Sequence, residues 1–296
     1  MSLVSWAVVV RHASRVGGHF KIFNPMINRQ SNDVRNTMTE TLMKELLAVA
    51  LQAATSAREL ILSYYNGEFD IEIKSDQTPV TVADRSAEQL IRRTIQEAFP
   101  DHGIFGEEYG AESKDTEYLW LVDPIDGTKS FVKRYGMFST QIALMHNGEL
   151  ILGVSCAPAM DELVWATRGG GAFNAQGSLY ISEVDTINQA SISTGNIQSL
   201  AASKRWTALG RILAHTNRTR GYGDYYHYHR LAAGQLDAVI ESDVNILDIA
   251  ALYVIVTEAG GLFTDLDGRA PNLDTRSVLA ATPGLHAALS AELNQV

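Results

Sequence analysis

The spacing of apolar and polar positions changes several times along this chain, and each change predicts an element. Leu42, Leu46, Leu47, Ala50, Leu51, Ala54 and Ala57 recur at helical spacing, which predicts an amphipathic helix over about 40–65. Thr37-Met38-Thr39-Glu40 fits a capping box ahead of it, and Asn66-Gly67 is a stop signal. Ile71 and Ile73 alternate with acids as a short strand, Lys74 to Pro79 reads as a polar turn, and 82–99 predicts a second helix with Asp84 in its first turn. Strand-like segments follow at 118–122, 139–146, 151–157 and 162–166, with a tight turn at Gly169-Gly170-Gly171. Further on come a strand at 190–194, a helix at 203–209, a helix at 225–234, a strand at 236–241 and a helix at 248–259 stopped by Gly260-Gly261. Helices and strands alternate throughout, so the class is mixed α/β. No repeat or Pro-rich linker interrupts the pattern, and a break near 183–190 divides a lobe of about 38–185 from one of about 186–296.

Composition narrows the function classes. With 296 residues and 46% apolar content the chain can build a substantial core. A single cysteine, Cys156, excludes a disulfide scaffold and a Cys-ligated zinc site, and in an apolar strand it reads as core. Uninterrupted apolar runs are too short for a membrane span. A net charge of −10 repels phosphate backbones, so nucleic acid is not an expected partner. A small anionic substrate would instead need a local positive centre, which a bound cation can supply. The first 32 residues carry Arg11, Arg15, Lys21 and Arg29 and no acid, leaving 20 basic against 34 acidic residues in the other 264. Residues 1–37 match a secretory signal poorly; the simpler reading is a start placed too early, with Met26 or Met38 the first true residue. The expected location is cytoplasmic, or organellar if the arginine content marks a transit peptide.

The candidate chemistry is carried by acids: Asp84, Glu107-Glu108 after Gly106, Asp123 and Asp126 within Asp-Pro-Ile-Asp-Gly-Thr, and Asp248. Any one of them alone is more simply a solvated charge, a turn or a helix N-terminal acid. Together they follow apolar strands or open helices. Asp123 stands at the carboxyl end of the strand Tyr118 to Val122, where α/β folds place ligands, and Gly127-Thr128 opens a helical turn whose free N–H groups can take an anion. Two carboxylates three residues apart repel one another unless a hard cation lies between them. With Glu107 and Asp248 brought in by folding, the set suffices for two metals, and the absence of a Cys/His ligand set favours Mg²⁺ over zinc.

Gly-Glu-Glu at 106–108, Asp-Pro-Ile-Asp-Gly-Thr at 123–128 and Asp-Ile-Ala-Ala at 248–251 resemble the three signatures of the inositol monophosphatase family. Val80 to Asp84 and Thr257 to Gly261 are similar to two further family segments, so the resemblance covers roughly 40–285. It implies a layered α/β/α/β/α sandwich, a homodimer, and hydrolysis of a small phosphate monoester with two or three Mg²⁺ ions. Carried over by position, Glu107, Asp123 and the Ile125 carbonyl would bind one metal, and Asp123, Asp126 and Asp248 a second. Asp84 and Thr128, with Glu108 in support, would activate the attacking water. The Gly127 and Thr128 N–H groups would hold the phosphate. Direct attack by an activated water needs no protein nucleophile. Leu247 and Ser130 depart from the family's usual Trp and Asn, and neither position is expected to coordinate metal.

Substrate choice within this resemblance falls between about 190 and 248. Asp224 stands where inositol-cleaving members carry a small neutral residue, and Glu241 matches an acid that faces the substrate. Two carboxylates suit a cationic amine better than a neutral polyol. With Gly223-Asp224-Tyr225, the pattern is similar to the histidinol-phosphate phosphatase branch, whose substrate carries an ammonium and an imidazole. The alternatives are an inositol monophosphatase, a 3′(2′),5′-bisphosphate nucleotidase drawing on Arg218, Arg220 and Arg230, and a catalytically inactive binding protein. His227 and His229, two apart on a helix, face different ways and cannot jointly ligate a metal.

Overall fold

The computed structural model describes residues 39–67, 71–73, 79–112 and 116–295. Its helices are α1 Glu40–Asn66, α2 Val82–Ala98, α3 Thr128–Val132, α4 Ile197–Ala202, α5 Trp206–His215, α6 Asp224–Ala232, α7 Ile246–Glu258 and α8 Pro283–Leu293. Strands β1 Ile71–Ile73 and β2 Pro79–Thr81 form a small hairpin-like pair. A larger sheet takes β3 Gly103–Gly106, β4 Gly110–Ala111, β5 Tyr118–Asp126, β6 Ser139–His146, β7 Glu149–Ala157, β8 Glu162–Thr167, β9 Gly171–Asn174 and β10 Gly177–Leu179, in the order β10-β9-β8-β7-β6-β5-β3-β4. The second sheet takes β11 Ser191–Gly195, β12 Arg218–Arg220, β13 Ala238–Ser242, β14 Leu262–Thr264 and β15 Ser277–Ala281, in the order β12-β11-β13-β15-β14. The chain passes from one sheet to the other over 180–190.

Five layers result. The α1/α2 pair covers one face of the larger sheet, α6 and α7 fill the space between the sheets, and α4, α5 and α8 cover the far face of the second. This is the α/β/α/β/α sandwich that the motifs imply. Position in the layers explains composition. Helix α7 is apolar nearly all round because it faces a sheet on each side. It runs so close to β7 that a Cβ on Gly153 would lie 2.4 Å from the Ala251 carbonyl oxygen, so only glycine fits there.

Some elements differ from the sequence pattern. The cap of α1 is Thr39, whose hydroxyl accepts from the Leu42 N–H at 3.2 Å; Thr37 and the 1–37 leader lie outside the described residues, as does most of the Lys74–Pro79 turn. The helix expected at 203–209 begins only at Trp206, because Ser203 closes α4 with its own N–H on Leu200 and its Oγ accepts from the Arg205 N–H. Helix α1 is long and apolar enough to cross a membrane by length and composition alone, although polar residues interrupt its apolar runs. Leu46, Ala50, Ala53, Ala54, Ala57 and Ile61 are instead fully buried where α1 meets α2 and the sheet.

Candidate metal and phosphate site

The acids converge because of three local devices. The first is a bulge in β5. Asp123 pairs with Gln141 and Asp126 with Ser139, so three steps on β5 oppose two on β6. In a regular strand, residues three apart point to opposite faces; the extra residue turns Asp123 and Asp126 to the same side. Pro124 has no N–H to lose from the ladder, and its carbonyl accepts from the Thr140 hydroxyl at 2.8 Å. The strand thus runs through Asp126 rather than ending before Asp123.

The second device is a pair of capping boxes that also serve the site. In α2, Thr81 is the cap, and its N–H and hydroxyl donate to Asp84 Oδ2 at 2.8 and 2.6 Å. In α7, Asn245 is the cap; its N–H donates to Asp248 Oδ2 at 2.9 Å and its Nδ2 to Asp248 Oδ1 at 2.5 Å. Each box locks an acid that points past its helix toward β5. Helix α7 begins at Ile246, two residues before the sequence pattern places it, because the cap is Asn245.

The third device is Gly127. Its φ of +86° turns the chain from β5 into α3, and a Cβ there would sit 2.9 Å from the Met137 carbonyl oxygen. The turn brings the Thr128 hydroxyl within 3.2 Å of Asp84 Oδ1 and 3.0 Å of the Ile125 carbonyl oxygen.

One carboxylate oxygen from each of Asp123, Asp126 and Asp248 lies within 4.8 Å of the others. Glu107, Gly127, Thr128, Asp224 and Asp248 line a cleft of about 590 Å³, with Lys129, Asn196, Asp243, Asn245 and Arg276. Burial and the charges of Glu107, Asp126 and Asp248 push Asp123 well above the usual carboxylate range. Burial and the charges of Asp224 and Asp248, among others, do the same to Asp126. Asp248 is pushed up to about 7, chiefly by burial. Asp84 is raised by burial against the opposing hydrogen bonds from Thr81. A hard divalent cation suits this set: every donor is oxygen, and the repulsion vanishes once positive charge sits among them.

A consequence follows for the metal-free protein. Asp248 and Asp224, raised from 3.8 to about 7 and about 6, hold protons in the folded chain that the unfolded chain has released. Their protonated forms are compatible with burial below about pH 4, and stability is lost as pH rises through the folded values. The thermal midpoint in chelator is therefore expected to fall between about pH 4 and pH 7, and saturating Mg²⁺ to remove most of that fall. A flat profile in chelator contradicts the electrostatic picture.

The residues expected to select substrate separate. Asp224 opens α6 with φ +49° and lines the cleft; burial and the nearby Glu241 charge push it up to about 6. Glu241 is only 3% exposed. Its Oε2 accepts from the Tyr228 hydroxyl at 2.6 Å and lies 3.0 Å from His227 Nε2. His229 turns the other way, with Nε2 2.8 Å from Ser155 Oγ, so the two histidines have unrelated partners. Arg218 and Arg220 lie exposed on β12, and Arg230 pairs with Glu162. Cys156 is buried with its thiol pushed up to about 11, as a core residue should be. Lys129, Asn245 and Arg276 were not among the sequence candidates; Asn245 could have been found as the first member of an Asn-x-x-Asp capping box.

A family model described as "Inositol monophosphatase family" matches residues 42–296. The histidinol-phosphatase of Streptomyces coelicolor is 36% identical over 262 residues, covering 86% of this chain and 96% of that protein. The inositol-1-monophosphatase of Mesorhizobium japonicum is 34% identical, covering 82% and 94%. Among solved structures, the extragenic suppressor protein suhB from Bartonella henselae superposes with a TM-score of 0.78 at 28% identity, covering 85% of this chain and 99% of that one.

Proposed function

Because the chain belongs to the inositol monophosphatase family, we propose that it is a Mg²⁺-dependent phosphate monoester hydrolase whose preferred substrate is histidinol phosphate. The observation that carries the hydrolase reading is the convergence of Asp123, Asp126 and Asp248, far apart in sequence, within 4.8 Å. Glu107, Asp123 and the Ile125 carbonyl would hold one Mg²⁺, and Asp123, Asp126 and Asp248 a second; Glu107 would also be able to face a third. When bound, these ions supply electrophilic stabilisation of the phosphoryl oxygens and raise the acidity of the attacking water.

The chain's own groups do the rest. The Gly127 and Thr128 N–H groups, freed by the turn into α3, orient the phosphate. The Thr128 hydroxyl and Asp84 Oδ1, 3.2 Å apart, align the attacking water, and Asp84 takes its proton. Burial raises Asp84, which improves it as a base. Glu108, on the same turn as Glu107, supports the activation of that water.

Asp224 favours a cationic substrate. It stands on the cleft wall with the Glu241 charge behind it, and an ammonium group would satisfy both. The direct contact falls to Asp224, since Glu241 is buried and engaged by Tyr228. A neutral polyol phosphate is the second reading, favoured by the similarity to the M. japonicum enzyme. A homodimer in solution is part of the same proposal. The test is phosphate release from histidinol phosphate, inositol 1-phosphate and 3′-phosphoadenosine 5′-phosphate, side by side, in Mg²⁺ and in chelator. Histidinol phosphate is expected to give the highest kcat/KM, with no turnover in chelator. A clear preference for the inositol ester would overturn the substrate assignment and leave the hydrolase reading intact.

A further inference from the structure

Helix α2 carries a second acid one turn after Asp84. Glu88 is fully buried, an unusual place for a carboxylate unless its surroundings demand it. Its Oε2 accepts from the Glu108 N–H at 2.6 Å, and its Oε1 from the Tyr109 N–H at 3.3 Å and from Arg92 Nε at 2.8 Å. Arg92 in turn donates from Nη2 to the Gly110 carbonyl at 2.5 Å. The pair therefore grips both ends of the turn that presents Glu107 and Glu108. Gly106 is required by the same contact, because a Cβ there would lie 1.9 Å from Glu88 Oε1. On the other side, the Glu107 N–H donates to the Val122 carbonyl at 3.1 Å, one residue before Asp123.

We propose that Glu88 is a positioning residue, which with Arg92 sets the register of the Glu107–Glu108 turn against Asp84 and β5 and so fixes the metal-binding geometry of Glu107. This rests on the metal role proposed for Glu107. Asp84 and Glu88 lie four residues apart on one stripe of α2, so a single rigid helix aligns the base and the metal-binding turn. A buried ion pair contributes little net stability compared with apolar packing. What this pair does supply is two acceptors for backbone N–H groups that an apolar side chain would leave unsatisfied.

Glu88→Gln keeps the shape but replaces one acceptor oxygen with an amide NH₂, so one of the gripping donors loses its partner. The test is Mg²⁺ binding by calorimetry without substrate, together with the Mg²⁺ dependence of turnover, for Glu88→Gln, Glu107→Gln and the double variant. Ile95→Val, in the same helix, serves as a control for general loosening. Glu88→Gln is expected to weaken Mg²⁺ binding by about tenfold or more. Its kcat at saturating Mg²⁺ should stay within about threefold of wild type, and the double variant should bind no more weakly than Glu107→Gln alone. Ile95→Val should leave Mg²⁺ affinity unchanged. If Glu107→Gln weakens Mg²⁺ binding and Glu88→Gln does not, the positioning role is wrong and the metal role of Glu107 stands. If Glu107→Gln itself has no effect, both fall together. Should Glu88→Gln fail to fold, Arg92→Gln removes the other half of the grip, with the same expected direction and the same refuting result.

Discussion

Asp123→Asn is expected to lower phosphate release by at least about a thousandfold, roughly 4 kcal/mol of transition-state stabilisation, while leaving the metal-free chain as stable as wild type or more so. The two effects have one cause. Asp123 is almost fully buried, and burial first, then the charges of Glu107, Asp126 and Asp248 around it, push its carboxyl well above the usual range. Without a cation, that cluster opposes folding at neutral pH, and an isosteric amide removes one repelling charge. With a cation, the same charge would be one of the ligands proposed to hold it, and the amide would weaken that hold. Asn at this position can still accept the Ile125 N–H, which Asp123 Oδ1 takes at 3.0 Å, so the bulge should survive. The measurements are phosphate release and thermal midpoints with and without Mg²⁺. The variant should lose most of the midpoint rise that Mg²⁺ gives wild type. Near-normal turnover contradicts the metal assignment, and collapse of the metal-free fold contradicts the electrostatic account.

Asp224→Ala is expected to separate substrates. For histidinol phosphate, kcat/KM should fall by about a hundredfold, roughly 2.7 kcal/mol, the scale of one charge-assisted hydrogen bond to a desolvated partner. For inositol 1-phosphate the change should stay within about threefold. No cation meets Asp224 in that case, and removing a charge that burial and Glu241 already oppose is close to neutral. The substitution replaces none of the proposed metal acids, so turnover should still require Mg²⁺, while loss of the Asp224 charge beside Asp126 should shift Mg²⁺ affinity only modestly. Equal losses on both substrates would count against recognition of the amine and point to a general distortion of α6, whose first residue this is.

The acids proposed to bind metal are legible because they fall in contiguous motifs, each joined to an apolar strand or a helix start. Asp123 and Asp126 were readable as a pair, but the bulge that turns them to one side was not, since it depends on how β5 pairs with β6. Asp248 is readable, and so is its cap, since Asn245 stands three residues before it in an Asn-x-x-Asp pattern. Glu88 gave no signal at all: an acid four residues from an arginine on a helix reads as a surface pair, and only the packing of β3 against α2 buries it. Glu241 shows the converse. Its position suggests that it faces the substrate, while its partners His227 and Tyr228 are not legible, because they lie on a neighbouring helix that sequence spacing cannot bring to β13. The layered fold was legible from the motifs more than from periodicity. Helix α7, apolar on all sides, has no amphipathic face to read, and the central strands of the larger sheet, β5 and β6, are buried on both faces.

The most direct measurement is anomalous diffraction from crystals of the wild type and Asp123→Asn soaked in Mn²⁺, a spectroscopically visible substitute for Mg²⁺. The account predicts two manganese peaks in the wild type, bracketed by Glu107, Asp123, Asp126 and Asp248, and loss of one or both in the variant. Manganese bound elsewhere, or an acid cluster that stays empty at millimolar Mn²⁺, would contradict it.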